Sequence, residues 1–265
     1  MQNQSKAQGI AIGIFIALFA LLYFGCDTKS KEHKDLEKSR ADKIELIDID
    51  RHIRKQKEQL PSDIANDIAN IERRITEASA EDDKIEGYKD LASIWYSAGY
   101  PLPSAFYAEQ IAKMEDTGDA WSIAGTTYSL AVKKTEDDTE KQYAISKSRS
   151  ALNKAIDRDE SNIDNKINLA LSYVEVQDQD NPMKGILMLV DLNKKNPDNP
   201  SVLYQLGRLS LGTNQLDKAV SRLSRAVEIK KDYKAAYCLL AIAYEKSGDQ
   251  QKAMEAKKYC DTIKN

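Results

Sequence analysis

The chain has 265 residues, with 39 Lys plus Arg against 42 Asp plus Glu and a formal charge of -3. That length accommodates a core domain of roughly 180 residues plus extensions, and near-balanced charge without a basic tail argues against nucleic acid as the main partner. Only 6 Pro, 11 Gly and 4 Phe occur, while Ala, Leu, Ile, Lys and Glu abound, the composition of an all-helical protein.

From the N-terminus, residues 1–8 carry one Lys, and Gly9 to Gly25 then run without a charge. This reads as the n-region and h-region of a signal peptide. As a helix the uncharged run would span about 25 Å, slightly short of the ~30 Å hydrocarbon core. It ends Leu22-Tyr23-Phe24-Gly25-Cys26, which resembles a bacterial lipobox, with Tyr23 where an aliphatic residue is typical. The resemblance implies lipid on Cys26, removal of residues 1–25, and a mature protein at a membrane facing the periplasm or cell exterior. The alternative is a single-pass inner-membrane anchor that ends in Cys26. Lys29, Lys31 and Lys34 work against the outward orientation, because positive flanks favour the cytoplasmic side.

Residues 26–60 read as a charged helical stalk. Ten Lys or Arg and nine Asp or Glu fall between 27 and 60, with no Gly or Pro before Pro61, a pattern of solvated helix rather than compact fold. Leu46, Ile49, Ile53 and Leu60 form a partial seam, too short for a coiled coil. Both histidines, His33 and His52, lie among these charges without metal-ligand spacing and read as surface residues. Residues 61–84 form an amphipathic helix, with Ser62 or Asp63 as its cap. Ile64, Ile68, Ile71 and Ile75 make one apolar stripe that packs on the next domain.

The rest of the chain repeats. Displaced by 34 residues, Leu203, Leu206, Gly207, Ala219 and Ala226 fall over Tyr237, Leu240, Ala241, Ala253 and Cys260. Looser versions of the same signature occur at Tyr88-Leu91-Ala92-Trp95, Trp121-Ala124-Gly125-Tyr128 and Leu169-Ala170-Tyr173. Extra residues sit near Lys133–Asp138 and near Gln177–Asn181, where Asn181-Pro182 reads as a helix start. This pattern resembles the tetratricopeptide repeat (TPR), a 34-residue helix-turn-helix unit. Small residues such as Gly207, Ala219 and Ala226 let paired helices touch. Lys166 and Gly185 depart from the pattern, standing where an aromatic and an Ala are usual. The resemblance covers residues 85–265 and implies an all-α, right-handed superhelix of about five repeats, at 85–117, 118–161, 162–199, 200–233 and 234–265. Cys238 and Cys260 read as small buried apolar residues, with a bridge between them left open because both fall in one helix pair.

By the register of that family, the concave groove would be lined by Lys89, Tyr96, Ile167, Leu171, Val174, Tyr204, Arg208, Leu211 and Ile242, with Ser93, Ser122, Thr126 and Glu245 beside them. Apolar residues flanked by Tyr and Arg suit a peptide or helix laid in the groove. The carboxylate clamp of some TPR co-chaperones is missing, since Ser93, Ser122 and Ile167 stand where it needs Asn and Lys. No phosphate loop, nucleophile elbow or Cys-x-x-Cys occurs. The expectation is a non-catalytic, membrane-tethered scaffold or adaptor for partner proteins in the cell envelope, without metal, cofactor or small-molecule substrate. A self-assembling structural protein and an accessory regulator of an envelope enzyme are the alternatives.

Overall fold

A computed structural model describes residues 47–264. The expectations for residues 1–46, including lipid on Cys26, the first part of the stalk and His33, lie outside the described residues. Among the described residues the chain forms twelve α-helices and no strand. They are α1 (Ile49–Lys57), α2 (Ser62–Glu77), α3 (Glu81–Ser97), α4 (Pro101–Glu115), α5 (Gly118–Lys134) and α6 (Asp138–Arg158). Then follow α7 (Ile163–Glu175), α8 (Lys184–Lys195), α9 (Pro200–Gly212), α10 (Leu216–Ile229), α11 (Lys234–Ser247) and α12 (Gln250–Thr262).

Local chemistry sets many of the helix starts. The side chains of Asp48, Thr117, Asp137, Asn162, Asn199 and Asp249 each accept from a backbone N–H in the first turn that follows, satisfying donors that a helix leaves unpaired. Two expected starts differ. Pro61, not Ser62 or Asp63, is the cap of α2, and it makes no side-chain bond. Asn181-Pro182 forms a turn, with Lys184 N–H bonded to Asn181 O at 3.0 Å, so α8 begins only at Lys184. Proline suits the second position of such a turn as well as it suits a helix start.

Short connections make each helix from α2 onward pack on the next, giving a linear array of hairpins. First helices also meet across neighbouring hairpins, α5 with α7 and α9 with α11. Within a pair the axes approach where a side chain is missing. A Cβ on Gly125 would stand 2.7 Å from Leu152 Cγ, and one on Gly207 2.7 Å from Leu223 Cγ. Both leucines are buried, each worth about 1.5–3 kcal/mol of apolar burial. Gly185 is tighter still, because a Cβ there would meet the backbone carbonyl of Ala170 and the amide of Val174. That close approach explains why α8 departs from the usual Ala.

The end of the stalk belongs to the folded body. Ile53 is buried with Ile68, Leu91, Trp95 and Tyr107, and Ile49 and Leu60 pack against that cluster. His52 is therefore not a surface residue: it is half-buried, with Nε2 3.5 Å from Glu140 Oε1 on α6. At the other end Cys238 and Cys260 are joined by a disulfide, with Cα atoms 4.9 Å apart. They are half-buried rather than free apolar core residues.

Candidate functional site

Three first helices, α5, α7 and α9, border a groove of about 550 Å³. Thr126, Ser129, Leu130 and Lys133 face it from α5, at the three- and four-residue steps that put side chains on one side of a helix. Asn168, Leu171, Val174 and Glu175 come from α7, and Tyr204, Gln205 and Arg208 from α9. Val132 and Ile145, both buried, close the floor. Opposite faces of these helices carry the packing residues Gly125, Tyr128, Ala170 and Leu206, so the array that buries one side presents the other.

Polar contacts around the groove hold these helices in place. Ser129 Oγ lies 2.8 Å from Ser148 Oγ, and Ser148 donates to Gly125 O at 2.9 Å, tying α5 to α6. Arg149 donates to Ser172 O at 3.0 Å, and its guanidinium lies 3.9 Å from the Tyr173 ring centre. Lys184 Nζ sits 4.0 Å from the same ring. Two cations thus fix the last turn of α7, where helix carbonyls favour positive charge. Further along, the Tyr204 ring lies 5.1 Å from that of Tyr233, whose hydroxyl burial holds above its usual pKa. Arg208 Nε donates to Gln205 Oε1 at 3.0 Å from an exposed position.

Five residues expected in the groove stand there: Thr126, Leu171, Val174, Tyr204 and Arg208. Ile167 and Leu211 do not, because the next first helix covers them. Ile167 is buried against Val202 and Leu206, and Leu211 lies in the cluster of Leu240 and Ala243. Lys89, Tyr96 and Ile242 are exposed on α3 and α11, away from this cavity. Lys89 is engaged by Glu86 at 3.0 Å, which raises its pKa. Ser129, Leu130, Lys133, Asn168, Glu175 and Gln205 were missed. Leu130 was detectable, standing one turn beyond Thr126, an expected groove position.

The lining combines an apolar middle with a rim of Lys133, Glu175 and Arg208. It contains no His or Cys, and among the described residues no cluster of three His, Cys, Asp or Glu could hold a metal ion. Such a surface is suited to receiving side chains, with hydrogen-bonding groups at its edges to orient them.

No family model and no curated protein matches the chain. Several solved structures are similar to it. MamA from residue 41 onward, from Desulfovibrio magneticus RS-1, has 13% identity over 70% of this chain and 97% of that one, with a TM-score of 0.45. Another MamA crystal structure has 17% identity over 66% and 89%, with a TM-score of 0.43. YrrB, described as a TPR protein with an unusual peptide-binding site, has 16% identity over 67% and 85%, with a TM-score of 0.39. At those identities and scores, the function of this chain has to be read from its own residues.

Proposed function

We propose that this protein is a non-catalytic scaffold whose groove holds an amphipathic helix or an extended peptide of a partner protein, and that lipid on Cys26 tethers it outside the cytoplasm. The observation that carries the first part is the convergence of Leu130, Leu171, Val174, Tyr204 and Arg208 from three successive hairpins on one groove. Apolar anchors beside Tyr and Arg are the composition of binding hot spots, and a helix laid along the groove would meet all three hairpins at once. Two independent features support the second part. The uncharged run ends at Gly25-Cys26, and the Cys238–Cys260 bridge is of a kind that persists in oxidising compartments.

A photo-crosslinking amino acid at position 130 of the full chain, in its own cells, tests the groove. A discrete partner adduct is expected, and it should disappear in Leu171→Asp plus Arg208→Glu, both groove positions, with the helical circular dichroism of the variant unchanged. An adduct that survives the double substitution would remove the groove from partner binding. Intact mass of the membrane-extracted protein beside Cys26→Ser tests the tether. A full-length, unacylated chain would overturn it.

A further inference from the structure

The two ends of the array are closed differently. At the start, α1 and α2 cover α3 and α4 with Ile53 and Ile68, both buried. At the finish, α12 brings only Ala253 and Ala256 into the core, while Met254 and Tyr259 are 67% and 45% exposed. The contrast with α10, the preceding second helix, is sharper in register. Where α10 presses Leu223 into the gap above Gly207, α12 has the exposed Lys257. Where α10 has the buried Ala226, α12 has Cys260, bonded to Cys238 of α11.

An open groove of about 330 Å³ runs between α10, α11 and α12, lined by Val227, Tyr237, Leu240, Tyr244 and Tyr259 and edged by Glu228, Lys252 and Glu255. The ring centres of Tyr237 and Tyr259 lie 4.8 Å apart in a stack, and each tyrosine immediately precedes a bridged cysteine. A terminal repeat has a neighbour on one side only, so a helix that buries only two alanines gains little from burial.

We infer that Cys238–Cys260 is a redox latch: the bridge, more than apolar packing, keeps α12 closed over the end of the array, and reduction releases it. The co-reactant is a thiol reductant. One thiolate attacks a bridge sulfur, the S–S bond breaks, and its electron pair leaves on the other cysteine as a thiolate, which takes a proton. A second thiol then displaces the mixed disulfide, leaving two protein thiols and one disulfide of the reductant. Release uncovers Val227, Tyr237 and Leu240. The inference does not depend on the groove or on what it binds.

Hydrogen exchange read by mass spectrometry on the full chain tests the latch, comparing oxidised protein, protein reduced with dithiothreitol, and Cys260→Ser. Exchange across 250–262 should accelerate by at least about tenfold on reduction and in the variant, with 200–229 unchanged, as for a local opening. Equal protection of 250–262 in all three samples would overturn the latch, because packing alone would then hold the helix. Joint loss across 200–262 would also overturn it, making the bridge a support of the whole terminal region. Alkylation of both cysteines in the unreduced, denatured protein would show that no bridge forms and end the proposal.

Discussion

Glu109 is a carboxylate in the interior, 7% exposed, at the crossing of α4 with α5 and α6. Burial opposes its charge, but the Tyr128 hydroxyl donates to Oε2 at 2.7 Å, and Lys147 and Lys113 approach Oε1 at 3.4 and 3.2 Å. The balance holds its pKa below the ordinary 4.5. Burial and the nearby Glu109 charge push the Tyr128 hydroxyl above its usual range, and burial raises that of Tyr143 to about 12. A carboxyl with a lowered folded-state pKa binds protons more weakly than in the unfolded chain. Its contribution to stability is therefore complete above the unfolded value and is lost as pH falls through the folded value. Glu109→Gln should cost about 2 kcal/mol at neutral pH, as for a charged hydrogen bond removed from a buried partner. The gap from wild type should narrow below about pH 4.5. Urea unfolding at several pH values measures both, and a gap that stays constant with pH would assign the loss to packing.

At the scale of the helix, three glycines do the same job with different tolerances. The Cβ of Gly207→Ala would meet Leu223 at its branch carbon, 2.7 Å away, a buried side chain that has to repack, although alanine favours the helix by about 1 kcal/mol over glycine. Gly185→Ala would instead press on the backbone carbonyl of Ala170 and the amide of Val174, which cannot move without separating α7 from α8. We expect Gly185→Ala to destabilise by about 2–3 kcal/mol and Gly207→Ala by less, about 1 kcal/mol, because helix propensity offsets part of its overpacking. Urea midpoints would check the order, and equal costs would mean that α8 can slide. The same contrast shows how far sequence reading reached. Gly207 was legible as a contact residue from its place in the 34-residue register. Gly185 looked like a lapse in the pattern, since nothing local to α8 announces the carbonyl above it. The groove divided similarly. Leu171, Val174, Tyr204 and Arg208 came from the register of the resembled repeat family, whereas Ile167 and Leu211 were covered by residues of the next first helix, more than 25 positions away.

Over the whole molecule, contacts run mainly between consecutive helices, so stability is a chain of local terms rather than one shared core. Ile53→Ala and Leu240→Ala each remove a buried aliphatic side chain, 5% and 4% exposed, near opposite ends. Each should cost about 2–4 kcal/mol. Hydrogen exchange should show the first loosening α1–α4 and the second α9–α12, with the distant end unchanged within about twofold in each case. Uniform loss of protection in both variants would instead show an array that unfolds as one unit.

What the sequence determined by itself is the helical hairpin and its repetition. Capping residues, helical periodicity and small residues at fixed spacing act within some 30 residues, and the all-α array follows from them. The expected groove face was what the resemblance to the repeat family implied. The tertiary structure decided everything that depends on a neighbour from another hairpin. It joined the end of the stalk to the core through Ile53, paired Cys238 with Cys260, forced glycine at 185, and chose which groove positions remain open. A helix specifies which of its sides is apolar. Only the helices stacked around it determine how much of that side is left uncovered.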